Sequence, residues 1–291
     1  MNSILVNQNK PENIRKLKAQ RQLYREAKRI LIIQIILTVP VTIIVSLLKL
    51  YLKDNFQIDI SQYAALYGIG LSLIDIIFFN TMIGTYRTDA AKIQEEFDCD
   101  VYDMEWNKIF VEKKVGIEII NKYSKKYVSI EAAPLNDWYP IEINASSHRD
   151  SILICQKTNL YYDSSLRKKY KTASIVISII TLALLMIISL STKTSVPNFL
   201  VQVILPFLPV FVLTFKIIVD HSKAIKAAID LHQTVGNIGN LHEAPSIHSL
   251  RKVQDKIYCH RKDGPLIPDF FYNKKRQKLE GEMHTNVSSQ E

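Results

Sequence analysis

The chain has 291 residues, 47% of them hydrophobic and 22% charged, with 37 Lys+Arg against 28 Asp+Glu and a formal net charge of +9. Those averages suit soluble domains, but the apolar residues gather in four windows almost free of charge, which excludes a soluble enzyme and a disordered chain. Three cysteines, an odd number with no Cys-x-x-Cys pair, exclude a secreted disulfide scaffold.

Residues 1–29 form a basic arm with only Glu12 and Glu26 to offset eight Lys and Arg, including Arg15, Lys16, Lys18, Arg21, Arg25, Lys28 and Arg29. Such a stretch beside a membrane span is attracted to anionic headgroups, at about 1 kcal/mol per charge. The high pI is therefore assigned to topology and lipid contact, with no direct binding of DNA or RNA.

The first apolar window, Ile30–Leu48, is predicted to be a permanent anchor and not a cleaved signal, because it is long and no Ala-x-Ala site follows it. Tyr63–Ile83 pairs with it as transmembrane hairpin 1 (30–83). Ala173–Leu190 and Val196–Phe215 form hairpin 2 (173–215). The four windows hold 19, 21, 18 and 20 residues, each about the thickness of a bilayer's hydrocarbon core at roughly 1.5 Å per residue. Polar groups within them are candidate pore-lining or gating residues: Asp75, Gln34 and Gln202. The alternative for Asp75 is a protonated or hydrogen-bonded carboxyl with no part in conduction, and Gln34 and Gln202 are read first as inter-helix hydrogen-bonding groups. Pro40, Pro206 and Pro209 are expected to bend their helices. Gly68 and Gly70 permit close helix approach without forming a Gly-x-x-x-Gly motif.

Orientation follows from Lys and Arg. Residues 1–29, 84–172 and 216–291 hold 8, 14 and 12 of them, whereas the loops 49–62 and 191–195 hold 2 and 1. Both termini and the insert are thus expected in the cytoplasm, with the two short loops outside.

The cytosolic insert (84–172) carries 14 acidic and 14 basic residues. The second span is expected to continue as one helix through Tyr86–Asp98, with Ala90, Ile93 and Phe97 inward and Gln94, Glu95 and Glu96 covering the other side. Val115–Tyr123 reads as an apolar helix and Pro134–Pro140 as a turn. Ser147-x-x-Asp150 reads as the start of a helix reaching Tyr170, in which Arg149 and Gln156 share a face with Asp163, and Arg167 is in ion-pair register with Asp163. Short strands at Lys126–Ile130 and Ile152–Cys155 are the alternative. In the C-terminal tail (216–291) the fourth span is expected to continue through Asp220–Val235. Ser246 should cap a helix with Ile247, Leu250, Val253 and Ile257 on its core side and Gln254, Tyr258 and Arg261 nearer its polar side. Asn144 and Asn286 match the glycosylation pattern but fall on the cytosolic side. No catalytic signature or ligand-like His/Cys spacing is present, so a non-enzyme without metal or other cofactor is expected. The fold class is a membrane all-α protein: four transmembrane helices as two hairpins, with a mostly α cytosolic domain built from insert and tail.

Several segments are similar to a known family. Gln94-Glu-Glu-Phe-Asp-Cys-Asp-Val101, Glu105-Trp-Asn107, Asn136-Asp-Trp-Tyr139, Cys155-Gln-Lys-Thr-Asn159, Tyr162-Asp-x-x-Leu-Arg167, Gln254-Asp-x-Ile257 and Pro268-Asp-Phe-Phe-Tyr272 resemble the SMODS-associated four-transmembrane effector family. Where tryptophan is common in that family, this chain has Tyr162 and Phe270, which keep an aromatic ring. The resemblance implies an inner-membrane, pore-forming effector of bacterial anti-phage signalling (CBASS, abortive infection). Such an effector is switched on by a cyclic oligonucleotide from a functionally linked nucleotidyltransferase, and is active as a homo-oligomer. The rivals are a constitutive channel or transporter subunit and a membrane-tethered sensor or scaffold that forms no pore. A cyclic oligonucleotide offers phosphates to Arg forks and bases to aromatic rings. The candidate ligand-binding residues are therefore Trp106, Trp138, Arg149, Gln156, Asn159, Tyr162, Arg167, Tyr258 and Arg261, unless these build the domain core.

Overall fold

The computed structural model describes residues 3–128, 135–139, 147–190, 199–239 and 245–271, the side chains of residues 50, 158–163 and 201–202 excepted. Every regular element among them is helical. In order these are α1 (Ser3–Asn7), α2 (Pro11–Thr38), α3 (Pro40–Phe56), α4 (Ser61–Ile74), α5 (Asn80–Tyr102), α6 (Ile117–Lys126), α7 (His148–Leu190), α8 (Leu205–Gly239) and α9 (Ile247–Asp263). Single π-helical turns join α4 to α5 (Asp75–Phe79) and lead into α8 (Leu200–Ile204).

Four helices are long and apolar enough to cross a membrane: Pro11–Phe56, Ser61–Tyr102, Ser164–Leu190 and Leu205–Gly239. Only 22–28% of each apolar stretch is buried, so the remainder needs lipid or another protein surface. The chain is a multi-pass membrane protein. Its first span breaks where expected. Pro40 opens α3, and Val39 before it stays in the right-handed region but off ideal helix angles, at φ −104°, ψ −67°. Pro209 lies inside α8 without ending it. The expected 14-residue outer loop is much shorter. Helix α3 persists to Phe56 and stops at Gln57, whose left-handed φ of 56° lets its N–H reach the Lys53 carbonyl at 3.2 Å, while Ile58 N–H bonds the Leu52 carbonyl at 3.2 Å.

The second and fourth spans run on beyond their apolar stretches without a joint, as the periodicity predicts. The third does more than predicted. The helix expected to stop at Tyr170 is continuous with the span, giving 43 residues of α7. Nothing between Tyr170 and Ala173 breaks a helix. Ser147 caps it, its Oγ accepting the Asp150 N–H at 3.3 Å, and Ser246 caps α9 by accepting the Ser249 N–H at 3.1 Å. Ile152–Cys155 is helix and not strand. Pro134, Pro140, Asn144, Tyr272, Asn286 and residues 129–130 lie outside the described set.

The helix extensions form one bundle. Its main core gathers Leu17 of α2, Phe97, Val101 and Tyr102 of α5, Ile152 and Cys155 of α7, Leu231 and Val235 of α8, and Leu250, Val253 and Ile257 of α9. Ile4 of α1 and Tyr139 close it. Helix α6 packs on α2 and α5 through Ile120 against Ala19, Leu23, Ala90 and Ile93.

Candidate functional site

Beyond the apolar stretch, α5 is packed on two flanks, by α2 and by α9. A helix held on two sides buries two stripes, and the second stripe of α5 is polar. Glu95 and Asp98 are both 0% exposed, so Glu95, expected to face solvent, is part of the interior. Buried charges persist only when paired and hydrogen-bonded, and here they are. Asp98 Oδ1 accepts the Tyr139 hydroxyl at 2.7 Å, and its Oδ2 accepts Gln254 Nε2 at 2.9 Å and Arg261 Nη1 at 2.5 Å. Glu95 Oε1 accepts Arg251 Nη2 at 2.5 Å, and Oε2 accepts Gln254 Nε2 at 2.8 Å. Gln156 Nε2 donates to Gln254 Oε1 at 3.1 Å and to the Leu250 carbonyl at 3.0 Å. Burial pushes the Glu95 carboxyl above its ordinary pKa, against the pull of Arg251. Burial alone would lower Arg261, but Asp98 carries it upward.

This network revises the reading of α9. Gln254 and Tyr258, expected near the polar side, are each 1% exposed, whereas Ile247, expected in the core, is 47% exposed. Helix α9 is wedged between α5, α7 and α8, so its polar-looking stripe meets the polar stripe of α5.

The expected ligand residues separate accordingly. Gln156 and Arg261 share the network through Gln254 and Asp98, and Tyr258 packs beside it with Ala91, Val111 and Trp106. Both tryptophan faces carry cations: Lys114 lies 5.3 Å from the Trp106 ring centre and Arg21 5.1 Å from that of Trp138. Trp138 lies edge-on to Phe97, away from Trp106. Arg149 is exposed on the first turn of α7. Asn159 and Tyr162 lie on α7, but their side chains are outside the described set.

A second cluster lies where the extensions leave the apolar stretch. After α9, a strap from Gly264 to Phe271 packs Leu266 against Ala27, Leu31 and Ile83, and Ile267 against Leu166 and Tyr170. Arg87 Nη1 donates to the Gly264 carbonyl at 3.3 Å, Arg167 Nη1 to the Pro265 carbonyl at 2.5 Å, and Lys28 pairs with Asp269. Gly264 has no room for a side chain, since a Cβ there would lie 2.4 Å from the His260 carbonyl oxygen and 3.1 Å from Arg167 Nη2. Arg261, Arg87 and Arg167 all lie near enough to half-buried Tyr24 to act on its hydroxyl. Burial pushes the Tyr24 hydroxyl up to about 12, and the three guanidiniums oppose that rise. Arg87 and Tyr24 were not singled out by the sequence. Arg87 counts there only as one topology charge, and its position one turn beyond Ile83 is the signal that was available.

Inside the spans, Gln34 Nε2 donates to Asp75 Oδ1, and the two residues are 1% and 5% exposed. They join the first and second spans and face protein. Asp75 opens the π turn. The side chain of Gln202, in the other π turn, is outside the described set.

Cys99 and Cys155 are buried and Cys259 is half-buried, all with free thiols. Burial pushes Cys99 up to about 12 and raises Cys155 and Cys259 as well. At pH 8 an aromatic disulfide reagent should leave Cys99 and Cys155 unlabelled in the folded protein and label both in denaturant. Fast native labelling of Cys99, which lies beside Glu95 and Arg251, would show that the network opens readily.

Comparison with known proteins places these features. The SMODS-associating 4TM effector domain matches residues 2–290. A curated protein of Bacillus cereus (strain VD146), described as a probable CBASS effector molecule, is 24% identical over 290 residues, covering 96% of this chain and 95% of that protein. No solved structure matches.

Proposed function

Because the chain belongs to the SMODS-associating 4TM effector family, we propose that it is a membrane effector of a bacterial anti-phage system that permeabilises the inner membrane on command. Its relative's description as a probable CBASS effector supports that setting. The proposed signal is a cyclic oligonucleotide, made by a linked nucleotidyltransferase and bound in the cytoplasm by the helical bundle. The excess of Lys and Arg in residues 1–29, 84–172 and 216–291 supports a cytoplasmic bundle and cytoplasmic termini. The protein acts by binding and rearrangement, without catalysis or cofactor.

One observation supports the mechanism above the others. The second, third and fourth spans each share an unbroken helix, apart from one π turn, with the bundle. A displacement of α5 or α7 at the network, or of α8 packed against α9, is therefore carried into the bilayer as rigid-body motion. Four helices of one chain enclose little aqueous space, so several copies form the path, meeting through the apolar faces that the single chain leaves uncovered. Asp75 and Gln34, buried between spans one and two, hold the hairpin together in the resting protein.

Purified protein in ion-loaded liposomes tests the proposal against a panel of cyclic di- and trinucleotides. Leak only with one of these messengers is the expected result. Leak without any messenger would instead mean a constitutive channel. Messenger binding with no leak would mean a sensor or scaffold. Asp75→Ala is expected to insert normally but change ion selectivity or toxicity in induced cells.

A further inference from the structure

Where α2, α5 and α7 leave the apolar stretch and α9 ends, two guanidiniums carry buried donors without a hydrogen-bond partner. Arg87 makes no ion pair among the described residues and has one long bond, 3.3 Å, to the neutral Gly264 carbonyl. Its Nε is buried with no hydrogen-bond partner. Arg261 commits Nη1 to Asp98, and its Nη2 is likewise buried without a partner. Arg167, 8% exposed, brings a third positive charge to the same strap. Buried donors normally find acceptors. Burial holds the Arg87 pKa below its ordinary value even though Asp263 and Asp220 lie near enough to oppose it. Tyr24 and Arg87 are half-buried, so the cluster borders solvent.

We infer that Arg87, Arg167 and Arg261, around Tyr24, form a binding site for a phosphate or phosphodiester group. Guanidinium forks match phosphate oxygens in pairs, and the unpartnered Nε of Arg87 and Nη2 of Arg261 supply donors that no protein acceptor uses. An anion there also competes with the Gly264 carbonyl for Arg87, loosening the strap that crosses α2, α5 and α7. The other basic hollow, about 810 Å³ between α2 and α6, is lined by Arg15, Lys18 and Lys125. Arg15 and Lys125 are solvent-exposed, and none of the three has a buried unpartnered donor. Two sources offer the required phosphate: a soluble nucleotide, and a lipid headgroup, since Arg87 stands one turn from the span. The inference deepens the proposed function and rests on it only for identifying the soluble ligand as the messenger.

The test uses the full chain in phosphatidylcholine nanodiscs with inorganic pyrophosphate as probe, and separately in nanodiscs containing phosphatidylglycerol. Phenylglyoxal modification of the wild-type protein is read by mass spectrometry, and affinity by calorimetry. Pyrophosphate is expected to protect Arg87 and Arg261 from modification. Arg87→Gln should weaken pyrophosphate binding on the order of tenfold, Arg87→Lys should restore part of it, and Arg15→Gln should leave it unchanged. Protection by phosphatidylglycerol but not pyrophosphate also supports the site and makes the headgroup its ligand. Modification of Arg87 and Arg261 unaffected by either anion overturns the inference, even if Arg87→Gln fails to fold. So does equal binding by Arg87→Gln and wild type. Where pyrophosphate protects, messenger-triggered leak that persists in Arg87→Gln would overturn this site's role in messenger binding and spare the proposed function. Pyrophosphate binding without leak under any messenger would do the reverse.

Discussion

Asp98→Ala is expected to destabilise the extramembrane bundle by about 3–5 kcal/mol. Asp98 is 0% exposed and accepts from three side chains on two segments: Tyr139, and Gln254 and Arg261 of α9. Its removal strands the Arg261 guanidinium, whose Nη2 already lacks a partner. It also removes the carboxylate acceptor of the buried Tyr139 hydroxyl. Both tryptophans lie outside the spans, and Trp138 packs edge-on to Phe97 of the main core, so denaturation in detergent can be followed by their fluorescence. The double variant Asp98→Ala/Arg261→Met should recover much of the loss, because it removes the charge that was left unpaired. A single-variant cost below about 1 kcal/mol would show that the pair is solvated and the network does not hold α5 to α9.

Gly68→Ala is expected to separate the second and fourth spans, whereas Gly70→Ala, two residues along the same helix, leaves them in place. A Cβ on Gly68 would lie 2.5 Å from the Leu205 carbonyl oxygen, 3.3 Å from its carbon and 3.5 Å from Pro206 Cα. All three are backbone atoms, so no side-chain rotation relieves the clash and one helix must move. Overpacking of this kind costs about 1–3 kcal/mol, and Gly68→Leu should cost more. Gly70 has nothing within 4 Å of its Cβ position, and alanine there also gains helix propensity. Melting temperatures in detergent should therefore fall for Gly68→Ala and hold or rise for Gly70→Ala. Equal melting of the two would mean that the hairpins are not in contact at this point. The proposed function adds a second readout: a displaced fourth span should alter the messenger-dependent leak.

The membrane helices were legible because one physical quantity governs them. A span must be long and apolar, and both properties can be read by counting along the chain. The caps were legible for a similar reason, since Ser147 and Ser246 each satisfy a donor three residues away. The candidate site was much less so. Periodicity along α5 marks Ala90, Ile93 and Phe97 as buried, but says nothing of a second packed flank. It therefore left Glu95 in solvent and Asp98 without a role, and set Gln254 and Tyr258 near the polar side of α9. The resemblance that quotes Gln94–Val101 and Gln254–Ile257 marked both stripes as distinctive without revealing that they face each other.

Composition and charge placement were sufficient to give four apolar spans and a polar bundle, because water and hydrocarbon sort residues by type at every position independently. Which polar residues meet was decided only by the fold. Asp98 and Arg261 lie 163 positions apart, Arg87 and Gly264 177 apart, and Gly68 is tight only because Leu205 arrives beside it. Contacts of that range depend on how the helices cross, and helix crossing is set by side-chain interlocking throughout the bundle, which no local pattern encodes.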